Sequence, residues 1–515
     1  AGFTLEAAEA VAGPGSGPAV LHLVDCSLLT PPRAGPDGRS RYVMLETLRA
    51  HAAGLLAGAG EQDGAAAALA GYALRVARQA AAGAQSGDGE LAAARWLDAE
   101  DATMRQALGW AGAHDPALAL RLAGALGWWW FLRGRLAGEY RLLRQAVGGA
   151  EVGSDRWCAA QVWLGWAAQS SDLAGALGHF TAVRDAAAGR PPSPALTAAL
   201  AGRATMLRIM GRTAEAAGDA RRALALAREI GDPAGELLAL AELSLDADYV
   251  GDHDDAVRLA RQAGRLAAGV PGALARMCGN VLTIVLADAG DLAEAARVGA
   301  AGLARARDAG DLWNQTVLLP RIVDLDLRAG RTGDAAAHLR EGLHLAVRTG
   351  FWFELLTGLS QCGDLCAATG RVAEALTLWA ACVAVDQREG PIYPPWFVPR
   401  WEEQMRQARQ ALGPGRARAA EERGAAMSLA TAAEYALMLT DPGPPQPAPP
   451  GPSTLSARER ELVTLVAQGR TNAQIAGQLY ISVRTVSSHL DRIRDKTGCR
   501  RRADLTRLAL SAGLV

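Results

Sequence analysis

Five glycines recur through the middle of the chain, Gly211, Gly251, Gly290, Gly330 and Gly370, at spacings of 40, 39, 40 and 40 residues. Each sits near the start of a similar phrase, as in MGRTAEAAGDARRAL, AGDLAEAARVGAAGL and TGRVAEALTLWAACV. An acid follows four residues later every time (Glu215, Asp255, Glu294, Asp334, Glu374), and an alanine comes next, from Ala216 to Ala375. A fixed period of this length confines the chain to stacked supersecondary units, because one unit alone cannot cover its apolar stripe. Glycine supplies the left-handed backbone that ends one helix. The acid then falls in the first turn of the next helix, facing the positive end of its dipole. Alanine lets the two helices approach closely. A second set, Gly231, Gly269, Gly310, Gly350 and Gly390, is placed to close the second helix of each pair. The predicted fold is mainly all-α: a curved solenoid of helical hairpins.

This pattern resembles tetratricopeptide repeats, although its period exceeds the usual ~34 residues and calls for longer helices or connections. Weaker copies, FLRGRLAGEYRLLRQAV and AAQSSDLAGALGHFTAV, extend it towards the N-terminus. About seven hairpins are expected between residues 125 and 390, with trailing helices to residue 440 and a helical connector over 59–124. Two aromatic clusters, Trp128-Trp129-Trp130 and PPWFVPRW at 394–401, read as core filling at helical spacing. The alternative is a groove for a ligand or partner along the concave face.

Charge is unevenly placed. The whole chain carries −1, while residues 453–515 hold eleven Lys/Arg and five Asp/Glu, a net of +6, which leaves −7 for the rest. A small basic end on an acidic body points to a local nucleic-acid patch. Seven scattered cysteines, with no histidine at metal-ligand spacing, read as buried hydrophobes in a reducing cytoplasm. Neither a signal peptide nor a membrane span is indicated, so a cytoplasmic, membrane-free protein is expected. No paired catalytic carboxylates, nucleophile elbow or metal cluster stands out, and an enzyme is not expected.

DPGPPQPAPPGPS, residues 441–453, contains seven prolines and reads as a stiff tether between domains. Beyond it, four short helices are predicted. Ser456-x-x-Glu459 is a capping box opening the first, and Thr471-x-x-Gln474 opens the second. A tight turn at Tyr480–Ser482 leads to the third, in which Val486, Leu490, Ile493 and Thr497 form one inward stripe. Arg484, Ser488, Asp491 and Asp495 then point the opposite way. Arg492 lies at one edge of that face, and Thr485, His489 and Lys496 lie on the flank. The last helix starts near Arg502. Two helices joined by a tight turn, the second amphipathic, make a helix-turn-helix whose second helix suits the major groove.

Over about 60 residues this tail resembles the LuxR/GerE-type DNA-binding domain of bacterial transcription regulators, with Glu459, Gly469, Ile475, Ala476, Thr485, Val486, His489, Ile493 and Lys496 among the matching positions. The resemblance implies DNA contact by Arg484, Thr485, Val486, Ser487, Ser488, His489, Asp491, Arg492 and Lys496, with phosphate anchoring by Thr485, His489 and Lys496. Family members often carry lysine where this chain has Ser487, and a basic residue where it has Asp491. Arg500, Arg501 and Arg502 are expected to attract the phosphate backbone. The final helix resembles the one through which such domains pair, so a dimer or oligomer on DNA is expected.

At the other end, RYVMLETLRAHAAGLLAG from Arg41 resembles the closing segment of the winged helix in STAND-type, MalT-like regulators, with FTLEAAEAV and VLHLVDCSLL as its preceding helices. Residues 1–58 are therefore expected to be a winged-helix remnant. The abrupt opening AGFTLEAAEA reads as an N-terminal truncation. A phosphate-binding loop needs a lysine within a glycine-rich turn. The sole lysine, Lys496, has none around it, so no cofactor is expected in this chain, and ATP could enter only through a missing NTPase domain. The resemblance implies a transcriptional regulator, with activation favoured, whose partners are promoter DNA, RNA polymerase and a small-molecule or protein inducer at the repeats. The other reading is a repeat scaffold with a C-terminal bundle that does not bind DNA.

Overall fold

A computed structural model describes all residues except 1, 85–88, 170, 271, 390–397, 441–454, 480, 498, 500, 501, 512, 513 and 515. The proline-rich tether, Tyr480, Gly390, residues 394–397, Arg500 and Arg501 thus lie outside the described residues. The chain divides into two compact units, Ala1–Asn314 and Gln315–Val515.

The first unit opens with helices Leu5–Ala12 and Gly17–Asp25, followed by antiparallel strands Leu29–Ala34 and Ser40–Met44 and helix Glu46–Gly58. Val20, Leu29 and Tyr42 form a small core beneath the strands. Arg41 makes 2.9 Å ion pairs with Asp37 and with Glu100, all three nearly buried, and so ties the strands to the connector helices. Helices Gln62–Ala84, Glu90–Ala99, Asp101–His114 and Pro116–Leu132 lead into the repeats. Trp129 and Trp130 are fully buried, while Trp128 is half-buried. The Trp129 indole donates to Asp98 at 2.9 Å.

Hairpins then follow at the predicted period: Pro194–Ile209 with Thr213–Ile230, Pro233–Tyr249 with His253–Ala267, and Ala273–Asp288 with Leu292–Asp308. The turn glycines at 211, 251, 290, 330 and 370 all adopt φ between +70° and +89°. The five alanines that follow the first-turn acids are fully buried at the helix crossings. Asp252 and Asp291 add side-chain caps, accepting from the Asp255 and Glu294 amides. Among the closing glycines, Gly231, Gly310 and Gly350 are left-handed, but Gly269 is not. The helix there ends at Ala267 with Ala268 as its cap, and Gly272 takes the positive φ instead.

In the second unit, Thr332–Thr349, Trp352–Ala368 and Val372–Glu389 pack each on the next, followed by Val398–Leu412, Pro414–Ala426 and Leu429–Leu439. Trp401 is buried and donates to Ser360 Oγ at 2.8 Å, which makes it a core residue. Gly424 lies so close to Val372–Glu389 that a Cβ there would stand 2.1 Å from the Thr377 carbonyl. Six of the seven cysteines are buried and only Cys26 is exposed, and no metal-binding group occurs among the described residues. No described helix is long and apolar enough to cross a membrane.

Candidate nucleic-acid interface

The C-terminal domain is four helices, Ala457–Ala467, Asn472–Leu479, Val483–Thr497 and Arg502–Ser511, around a core of its own. Both sequence-level caps form. Ser456 Oγ accepts from the Glu459 amide at 3.2 Å while Glu459 accepts from the Ser456 amide at 2.8 Å. Thr471 and Gln474 make the same reciprocal pair at 3.2 and 2.9 Å. Ser482 caps the third helix by accepting from the Thr485 amide at 3.0 Å. These caps satisfy the first-turn amides that helix geometry leaves without partners.

The third helix has two distinct sides. Val486, Leu490 and Ile493 are at most 1% exposed and seat it on the core. Arg484, Ser488, Asp491 and Arg492 are exposed on the other side, with Thr485, Ser487 and His489 half-buried between. The polar side therefore faces outward at helical period, as an element that inserts into a groove requires. Asp491 is held by Arg494 at 2.7 Å, which offsets its charge.

Three of the anticipated contacts also have roles within the domain. Val486 is fully buried and so shapes the seat of the helix rather than its outer face. Lys496 donates to both Glu459 oxygens, at 2.7 and 2.8 Å, and thereby straps the third helix to the first. That ammonium, followed by the Ser456 amide, holds the Glu459 carboxyl down at about 2. Arg502 is also occupied, donating to Asn472 Oδ1 at 2.9 Å and to the Arg470 carbonyl. Asn472 in turn donates to Ser487 Oγ at 3.4 Å. Glu459, Asn472 and Arg502 thus brace the outward helix. In the sequence Glu459 shows as a cap and a family-matching position, and nothing local links it to a lysine 37 positions away.

Residues 453–509 match the model of the family of bacterial regulatory proteins, luxR family. The C-terminal domain is a luxR-family domain. A response regulator of Synechocystis, Rre1, is 46% identical over 57 residues, covering 11% of this chain and 25% of that protein. A Mycobacterium bovis protein named as a candidate HTH-type transcriptional regulator is 28% identical over 229 residues, 43% of this chain and 26% of its own length. The chain thus spans about a quarter of the curated relatives it matches. Among solved structures, a STAND protein with a tetratricopeptide repeat sensor from Pyrococcus horikoshii aligns over 79% of this chain and 63% of its own, at 12% identity and a TM-score of 0.37.

Proposed function

We propose that this chain is the repeat-bearing, DNA-binding part of a transcriptional regulator, in which the helical repeats take an inducer or protein partner and the luxR-family domain binds promoter DNA. The observation that carries this reading is the third helix of that domain, anchored by Val486, Leu490 and Ile493 with Arg484, Ser488 and Arg492 in solvent. Phosphates attract the two arginines, and the serine offers a base-edge donor or acceptor. Thr485 and His489, on the flank, suit backbone contact. Self-association on DNA, recruitment of RNA polymerase and activation of transcription belong to the same reading, supported by the domain's family.

Anisotropy of a labelled duplex taken from upstream of the protein's own gene tests this with the full chain. Affinity should fall steeply as salt rises, because bound cations displace condensed counterions. The double variant Arg484→Ala, Arg492→Ala should flatten that dependence. Binding indifferent to both changes would favour the scaffold reading.

A further inference from the structure

The polar side of Val483–Thr497 carries two lines of residues. Arg484, Ser488 and Arg492 form one at helical spacing, and Ser487 and Asp491 form the other, on the side nearer Asn472–Leu479. Neighbouring groups fix the hydrogen-bonding polarity of the second line. Ser487 Oγ donates its only proton to the Val483 carbonyl at 3.2 Å. It accepts from Asn472 Nδ2 at 3.4 Å. The Asn472 amide is held in that sense because Arg502 Nη1, which can only donate, binds its Oδ1 at 2.9 Å. Ser487 is left with one acceptor lone pair. Asp491 is an acceptor throughout. Its Oδ1 takes the Arg494 guanidinium at 2.7 Å, while its side chain is 66% exposed and Oδ2 has no hydrogen-bond partner among the described residues. Arg494 also offsets the charge that phosphates would repel.

We infer that Ser487 and Asp491 make this helix a reader of exocyclic amino groups: on the strand they face, they select adenine or cytosine and reject guanine or thymine. This rests on the DNA-binding reading. In the major groove adenine N6 and cytosine N4 are donors, whereas guanine O6 and thymine O4 are acceptors. An acceptor-only line meets the first pair with hydrogen bonds. Against the second it sets oxygen on oxygen and leaves a desolvated carboxylate without a partner, which costs more than the missing bond alone. Four residues of helix rise by about 6 Å, so the two acceptors span roughly two base steps. The preference therefore falls on a short run of bases. Arg484 and Arg492, on the adjoining line, hold no ion pair among the described residues and are left for the phosphates. Affinity comes from one line and sequence from the other. Arg502 and Asn472 are positioning residues, which act by fixing the polarity that Ser487 presents.

The test uses the full chain and a pool of duplexes with a randomised central stretch, the bound fraction being sequenced. The parent should enrich adenine or cytosine over guanine or thymine by roughly tenfold at one or two neighbouring positions of one strand, the size of a single good base contact. Asp491→Asn keeps the side chain's shape but adds a donor, and should flatten the preference at one of those positions. Asp491→Lys, a donor only, should invert it towards guanine. Asn472→Ala should leave that position as it was and relax the other, a change that lost stability alone would not produce. Thermal melts of the two Asp491 variants should match the parent, since the side chain they replace is exposed. Base preferences identical in the parent and all three variants would overturn the inference, as would a parent preference for guanine or thymine that disappears with Asp491. If no chain retains duplex at any salt, the DNA-binding reading fails and takes this inference with it. Duplex retained with unaltered preferences sinks the base rule alone.

Discussion

Replacing Lys496 by methionine separates two roles that one ammonium group could play. As a phosphate anchor, its loss would weaken DNA binding and reduce the salt dependence of log affinity by roughly 0.9 for the one lost contact. The structure instead makes it a strut, donating to both oxygens of Glu459. The carboxylate side of the pair is 8% exposed and the ammonium side 46%. A pair wet on one side is worth less than the ~3–5 kcal/mol cost of breaking a buried one, and more than an exposed pair's ~0–1 kcal/mol. The expected loss is about 1–2 kcal/mol. For a domain of this size that is a fall of roughly 5–15 °C in melting temperature. The strut also sets the acid response. Glu459 is depressed to about 2, so its contribution is complete above the ordinary glutamate range and lost as pH falls through about 2. In the variant the carboxyl climbs back towards its ordinary value, and acid unfolding begins at higher pH. Thermal and acid unfolding of residues 453–515, with a salt series of DNA binding, measure all of this. A variant as stable as the parent but with a shallower salt slope would refute the strut.

Four further substitutions have defined outcomes. Ser487→Lys adds a cation beside the exposed face of the third helix, so duplex binding should tighten and its salt slope steepen by roughly 0.9. The loss of the 3.4 Å contact from Asn472 should leave stability nearly unchanged, as a melt of the same variant will show. In the repeats, Gly330→Ala meets open space at φ +70° and should cost only the backbone strain of about 1–2 kcal/mol. Gly424→Ala drives a methyl against the Thr377 carbonyl and should cost about 3 kcal/mol, both read from urea unfolding. Glu354, buried beside Arg321, is raised to about 7, so its folded-state contribution is full at low pH and is lost as pH rises towards and through about 7. Glu354→Gln should therefore gain stability over the parent above pH ~7 and match it below pH ~5, which pH-dependent denaturation can follow.

Periodicity alone determined the helical hairpins. Glycine at a left-handed turn, an acid four residues on and a buried alanine are local requirements, and each is met at Gly330, Asp334 and Ala335. The four helices of the C-terminal domain were equally legible, because caps such as Ser456 with Glu459 and the stripe Val486, Leu490, Ile493 depend on residues within a turn or two. The outward face of the third helix followed from the same 100° geometry. Local pattern misled at Gly269, where the helix stops early and the positive φ falls instead on Gly272, the N-cap of the next helix. Which cations on that domain stay free was a tertiary decision. Lys496 and Arg502 look alike to a reader of charge, yet Glu459 claims one at a separation of 37 residues and Asn472 the other at 30. Side-chain charge is written in the chain, but its partner is set by which helices the folded core brings within hydrogen-bond reach. Contacts so distant in sequence leave no period to read.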